Sequence, residues 1–254
     1  MRLVTYDRRG HRRLGAFVGA KVVDLPGLAG HPAFPSTMEA LVSSKRGTVL
    51  YAARAALDRT SEIPDWVVPR PKLLVPILPP SMQEEEYRSL VDPEELVPPP
   101  PSSNGDTTFE VELAAIVGNA GRKLTIAEAK KAIFGYTLMI HWSNGDDFSA
   151  ALGPCILTPD EFEARHAEVK VKVNGRLWSK GTLAEQKVNL PKMIMQASKM
   201  AELMPGDVYS SGTLGRIGQR IKGPKPGSEI EVYEKEIGTL KARLGKRARR
   251  KIAS

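Results

Sequence analysis

The sequence predicts a β-rich α+β fold, with a small N-terminal domain followed by a larger, mainly β domain. Three observations lead there. Short runs of apolar–polar alternation fill both ends of the chain, helical spacing recurs in only a few segments, and a proline-rich connector divides front from rear. No repeat with a period of about 20–50 residues is present, which excludes a solenoid.

In chain order, "RLVTYDRRGHRRLGAFVGAKVVDL" reads as a β-meander whose turns are "RRGHRR" and "GA". "STMEALVSSKRGTVLYAARAALDRT" carries apolar residues at helical spacing and reads as a helix, with Ser36 or Thr37 as N-cap and Glu39 in the first turn. "VVPRPKLLVPILPPS" is an extended connector, and "MQEEEYRSLVDPEELVPPPPSSNGDTT" a surface loop or lid. From Phe109 the β signal returns in "FEVELAAIVG". The helix "TIAEAKKAIFGY" follows, opening on a capping box between Thr125 and Glu128. Further strands are expected in "TLMIHW", "CILT", "EVKVKVNGRLWSKG" with its Asn-Gly hairpin turn, "DVYSSGT" and "EIEVYEKEIGTLKARL"; one helix, "LPKMIMQASKMAEL", interrupts them. The divisions are residues 1–72 for the front domain, 73–108 for the connector and shortened lid loop, 109–245 for the β-roll, and 246–254 for a basic tail.

At 254 residues the chain is long enough to bury a sizeable core, and 41% hydrophobic with 26% charged residues excludes a disordered chain. No apolar run reaches membrane-spanning length, and the charged first twenty residues do not resemble a secretory signal, so an intracellular location without membrane contact is expected, in the cytoplasm or an organelle matrix. The single cysteine, Cys155, reads as a small buried apolar residue. The net charge of +8 is uneven: "KARLGKRARRKIAS" holds seven Lys or Arg and no acid. Lys246, Arg247, Arg249, Arg250 and Lys251 read as a solvated end or as a contact for RNA or an acidic partner. Without an aromatic ladder beside it, base stacking has no platform.

Glu110 and Glu112 stand two apart in an otherwise apolar run, which in a strand sends both carboxylates to one face. Two like charges side by side repel unless a cation lies between them or solvent separates them. Both readings stay open on the residues alone.

The ordered set of segments resembles the fumarylacetoacetate hydrolase (FAH) family. It is carried by "RLVTY…RLGA…VVDL", "PILPPS", "FEVELAAIVG", "AEAKKAIFGYTLM", "DDFSAALGPCILTPDEF", "VKVNGRLWSKGT", "LMPGDVYSSGTLGRIG" and "PGSEIEVYEKEIGTLKARL". The resemblance implies a mixed β-sandwich roll of the FAH type, association as a homodimer or within a larger assembly, and chemistry on 2-oxo and acylpyruvate-type acids around Mg or Mn. It makes Glu110 and Glu112 metal ligands, and Gly212 and Thr213 substrate contacts. His141 stands where the family has a further ligand, an Asp; it reads either as a ligand, an imidazole nitrogen suiting zinc, manganese or iron better than magnesium, or as a packed or hydrogen-bonded histidine near an empty site.

Three departures follow. His141 replaces that Asp; Asp146 occupies the position of a lysine before Asp147–Phe148; and the general-base histidine is missing, with Glu84 near a ligand position and Val91 where the base would be. An anion for a cation reverses the field an anionic substrate would meet. Core phrases kept while chemistry phrases are eroded predict a structural or interaction subunit, as in a ribonucleoprotein. The alternative is an active metal-dependent hydrolase, decarboxylase or isomerase. No catalytic residue is assigned from the sequence.

Overall fold

The structure, a computed structural model, describes residues 1–44, 46–59, 61–82, 89–98, 107–143, 147–163, 166–182, 184, 189–214 and 224–245. Glu84, Asp146 and the basic end (Lys246, Arg247, Arg249, Arg250 and Lys251) lie outside these residues.

The front of the chain forms the expected meander: β1 (Arg2–Arg8), β2 (His11–Val18) and β3 (Lys21–Asp24). Arg9 and Gly10 both take positive φ in the tight turn between β1 and β2, and Asp7 accepts the Gly10 N–H at 2.7 Å. Asp24 then caps α1 (Leu25–Ala29) through the Gly27 N–H at 2.9 Å. The same carboxylate accepts from Tyr6 Oη at 2.8 Å and from Arg13 Nη2 at 2.9 Å, and it pairs with Arg8. One buried acid thus ties three elements together. The segment expected as one helix is two, α2 (Met38–Ser43) and α3 (Arg46–Leu57). Thr37 is the N-cap of α2, and Ser44 ends it in an extended conformation with its hydroxyl turned back onto the Leu41 carbonyl.

Three short strands follow: β4 (Leu73–Leu74), β5 (Leu90–Val91) and β6 (Leu96–Val97). The last two correct the expectation of a surface loop. β5 pairs with β9 and β6 with β14, both parallel, and Val91 and Val97 are buried. Pairing with distant strands, invisible in a polar proline-rich stretch, decides this.

The rear comprises β7 (Thr108–Val117), α4 (Ile126–Ala132), β8 (Ile133–Ser143), β9 (Asp147–Leu157), β10 (Glu168–Val173), β11 (Arg176–Thr182), α5 (Leu190–Met200), β12 (Val208–Ser210), β13 (Glu229–Glu234) and β14 (Gly238–Leu244). The capping box at Thr125 and Glu128 forms as expected, and the Asn174–Gly175 turn, positive φ at both residues, joins β10 to β11. "EIEVYEKEIGTLKARL", read as a single strand, is instead a hairpin. Glu234 accepts the N–H groups of Glu236 and Ile237 at the turn, and Gly238 takes φ 110°.

Two sheets result. The larger runs β12–β7–β8–β9–β1–β2–β3, with β4 beside β1 and β5 beside β9; the smaller runs β11–β10–β13–β14–β6. β1 pairs with β9 at Arg2–Leu157 and Leu3–Ile156, so the front meander continues the rear sheet by hydrogen bonding. Between the sheets lies one core, with Val111, Leu113, Ile140 and Trp142 meeting Val169, Val171, Val232 and Leu240. A second core packs α1, α2 and α3 against the larger sheet through Leu28, Met38, Leu41, Ile116 and Phe134. Cys155 is buried as expected, and burial pushes its thiol up to about 12. Among the described residues, no helix is long and apolar enough to cross a membrane.

Strand β8 lies so close to β9 that a Cβ on Gly135 would sit 2.7 Å from the Leu157 carbonyl oxygen and 2.5 Å from Ile156. Because backbone is one of the obstacles, Gly135→Ala should destabilise the protein by about 1–3 kcal/mol. Urea unfolding checks this, and a neutral variant would mean that the strands part at no cost.

Candidate metal centre and adjoining cavity

The site is built from one face of the larger sheet. Cross-strand partners point to the same side of a sheet, so register assigns the face directly. Glu110 of β7 is opposite His141 of β8, which is opposite Ala150 of β9; Glu112 is opposite Met139, which is opposite Leu152. On the other flank of β7, Ser210 lies opposite Ala114 and Val208 opposite Ile116. The alternation that sends Val111 and Leu113 into the core therefore sends Glu110 and Glu112 the other way, together with His141 and Ser210.

Glu110, Glu112 and His141 each offer a ligand atom, and these atoms lie within 4.8 Å of one another. His141 Nδ1 is 3.9 Å from Glu112 Oε1. Glu112 is 3% exposed, and its Oε2 is buried without a hydrogen-bond partner. Burial pushes its carboxyl above the usual carboxylate range, and the neighbouring Glu110 charge pushes the same way. Ser210, His141 and the Gly212 amide pull it back only in part. A buried carboxylate oxygen with an open coordination position, beside a second carboxylate and an imidazole, fits a divalent cation: the cation would supply the missing partner and turn repulsion into attraction.

Gly212 and Thr213 sit beside this cluster. Ser211 N–H donates to the Leu113 carbonyl and Leu214 N–H to the Val111 carbonyl, so the Gly-Thr pair is held alongside Glu112 on β7. Gly212 adopts φ 67°, a left-handed turn that glycine takes without strain. Val91 is not at the site: its side chain is buried in the core between the sheets, and its neighbour Leu90 faces the cavity instead.

That cavity, of about 330 Å³, opens beside His141 and Ser210. It is near the lower end of small-molecule sites, about 300–1,000 Å³. Its walls include Leu90, Met139, Ala150, Leu152 and Val208, with the hydroxyl residues Ser81, Ser89 and Ser149. Among the described residues that line it, His141 carries the only ionisable side chain. Sequence reasoning missed Met139, Leu152 and Ser210. For Met139 a signal existed, since it stands two residues before His141 on the same strand and so shares its face. Leu152 and Ser210 depend on registers between strands far apart in sequence.

The family described as fumarylacetoacetate (FAA) hydrolase C-terminal matches residues 48–245. An uncharacterised protein of Staphylococcus epidermidis is 28% identical over 176 residues, 62% of this chain, and one of Staphylococcus aureus is 27% identical over the same length. The match spans 58% of the length of the first and 59% of the second. Among solved structures, a fumarylacetoacetate hydrolase from Exiguobacterium antarcticum superposes with a TM-score of 0.77 at 21% identity, covering 97% of this chain and all (100%) of that one. A maleylpyruvate hydrolase from Sphingobium sp. SYK-6, in complex with manganese (II) ion and pyruvate, gives 0.77 at 23% identity, covering 96% and 99%. These structures establish likeness of fold.

Proposed function

The chain belongs to the fumarylacetoacetate hydrolase family, and on that premise we propose that it is a divalent-metal-dependent enzyme of acylpyruvate-type 2-oxo acids that favours isomerisation through the enol over hydrolysis. The observation that carries this reading is the convergence of Glu110, Glu112 and His141, with Glu112 Oε2 unpartnered, beside a cavity of small-molecule size. Manganese is the preferred ion, on the ground that two carboxylates suit it and that a structural neighbour holds manganese with pyruvate, while the imidazole in the donor set turns the site away from magnesium. When bound, such an ion supplies Lewis acidity toward the keto oxygen of the substrate.

The chain's own residues do the rest. Glu110, Glu112 and His141 hold the ion, and the Gly212–Thr213 turn, alongside Glu112, provides backbone and hydroxyl contacts for the acid head. Ser210 and Ser81 bring hydroxyls to the cavity that can orient it. With Lewis acidity at the keto oxygen, the carbon between the two carbonyls would give its proton to solvent and take it back from solvent, so enol exchange needs no protein base. Hydrolysis needs in addition a base to place and activate water, and Val91, at the expected base position, is a core residue. The scaffold reading drawn from the sequence rests on His141 in place of an Asp, on Asp146, on the missing base histidine and on the basic end; the convergence of His141 with Glu110 and Glu112 supports chemistry instead. Dimerisation, and contact of the basic end with RNA or an acidic partner, are proposals resting on the sequence alone.

The test is a manganese titration followed by turnover assays on acetylpyruvate, monitoring keto–enol exchange and cleavage separately. Metal-dependent keto–enol exchange, with cleavage at least about a hundredfold slower than exchange, is the expected result. Tight manganese binding without either reaction would return the chain to a non-catalytic role.

A further inference from the structure

Whatever a metal centre holds, the rest of the ligand must fit the walls beside it. We infer that the group carried beyond the 2-oxo acid head is uncharged and apolar, an alkyl or aryl acyl tail, and not a second carboxylate. This deepens the proposed function and rests on it.

The cross-strand row that contains Glu112 continues as Met139 and Leu152, and the row that contains Glu110 and His141 continues as Ala150 and Leu90. Both rows therefore run from ligand atoms into hydrocarbon within one or two strands. Behind them, Ala150 and Leu152 pack with Val75 in a small apolar cluster that also touches Leu90, Met139 and Val208. Leu152 is 2% exposed and Ala150 is 7% exposed, so this wall is fixed by packing and cannot swing a polar group into place. The polar atoms at the wall are partly committed: the Ser149 hydroxyl donates to the Ser89 carbonyl at 2.8 Å, and the same carbonyl accepts the Ala150 N–H at 2.9 Å. A carboxylate placed against such a wall loses its water and gains no cation among the described lining residues, beside a cluster that already holds two acids. An alkyl tail gains there instead, since each methylene leaves water for hydrocarbon.

The experiment uses the full chain loaded with manganese and measures binding by calorimetry. Oxalate reports the head alone; pyruvate, 2-oxobutanoate, 2-oxopentanoate and 2-oxohexanoate lengthen an apolar tail, and 2-oxoglutarate adds a charge to it. Affinity should rise about two- to fourfold per methylene, and 2-oxoglutarate should bind at least about thirtyfold more weakly than 2-oxopentanoate. Met139→Gln, similar in size but polar, should lower the ratio of 2-oxohexanoate to oxalate affinity. If oxalate fails to bind, the metal-centre reading itself is overturned, and this inference with it. If oxalate binds while the series is flat, or 2-oxoglutarate matches 2-oxopentanoate, the apolar-tail inference alone is overturned.

Discussion

Glu112→Gln should weaken manganese binding by at least about a hundredfold while making the metal-free protein more stable by about 1 kcal/mol. The two effects have one cause. Glu112 is almost fully buried with Oε2 unpartnered and Glu110 beside it, so its ionised form is held at a cost that an ion would offset. The sign of the pH dependence follows. Its carboxyl titrates above the ordinary range in the folded state, so the metal-free chain has its full stability below that range and loses stability as pH rises through the folded value. Gln removes the dependence, so the gap between variant and wild type should be absent in acid and widen toward neutral pH. Calorimetric titration with manganese and urea unfolding in chelator check the pair. A variant that binds manganese like the wild type would remove Glu112 from the ligand set, and one less stable without metal would contradict the desolvation account.

Asp24→Asn should produce the largest loss of stability among single substitutions outside the two cores, about 2–4 kcal/mol. Asp24 is 5% exposed and answers to Tyr6, Arg8, Arg13 and the Gly27 N–H at once. Arg8 is half exposed, so its share is screened and most of the effect lies with Arg13 and the cap. Burial alone would raise the Asp24 carboxyl. Arg13, the Gly27 N–H and Tyr6 outweigh it and hold the group below the usual range, while burial and the Asp24 charge push the Tyr6 phenol up to about 12. A lowered folded value means that this stability is present above the ordinary carboxylate range and is lost as pH falls through the folded value. Thermal melts from neutral pH into acid should therefore converge for variant and wild type at the acid end. Parallel curves at all pH values would show that the Asp24 charge contributes nothing.

Local features were legible because their causes are local. The Thr125–Glu128 capping box, the Thr37 cap and the Asn174–Gly175 turn each depend on residues within four positions of one another. The split at Ser44 and the hairpin turn at Glu234 were missed because apolar residues flank both closely, Leu41 and Val42 before Val49 and Leu50 in one, Ile230 and Val232 before Ile237 and Leu240 in the other. There a serine hydroxyl on a carbonyl and a carboxylate on two N–H groups break the pattern, and such contacts leave a weak trace in periodicity.

The candidate site divides in the same way. That Glu110 and Glu112 share a face needed only the two-residue period of a strand, and the family resemblance singled out His141 as their companion. Which residues surround them was decided by tertiary structure: the registers of β8 on β9, β12 on β7 and β5 on β9 bring Leu152, Ser210 and Leu90 to the site and leave Val91 in the core. The physical reason is that a strand's alternation states which residues travel together, whereas its partner and register are set by burial summed over the whole sheet. A one-residue slip would turn every side chain to the other face, so the sequence alone determined the pair of carboxylates, and only the packed sheets determined the wall they face.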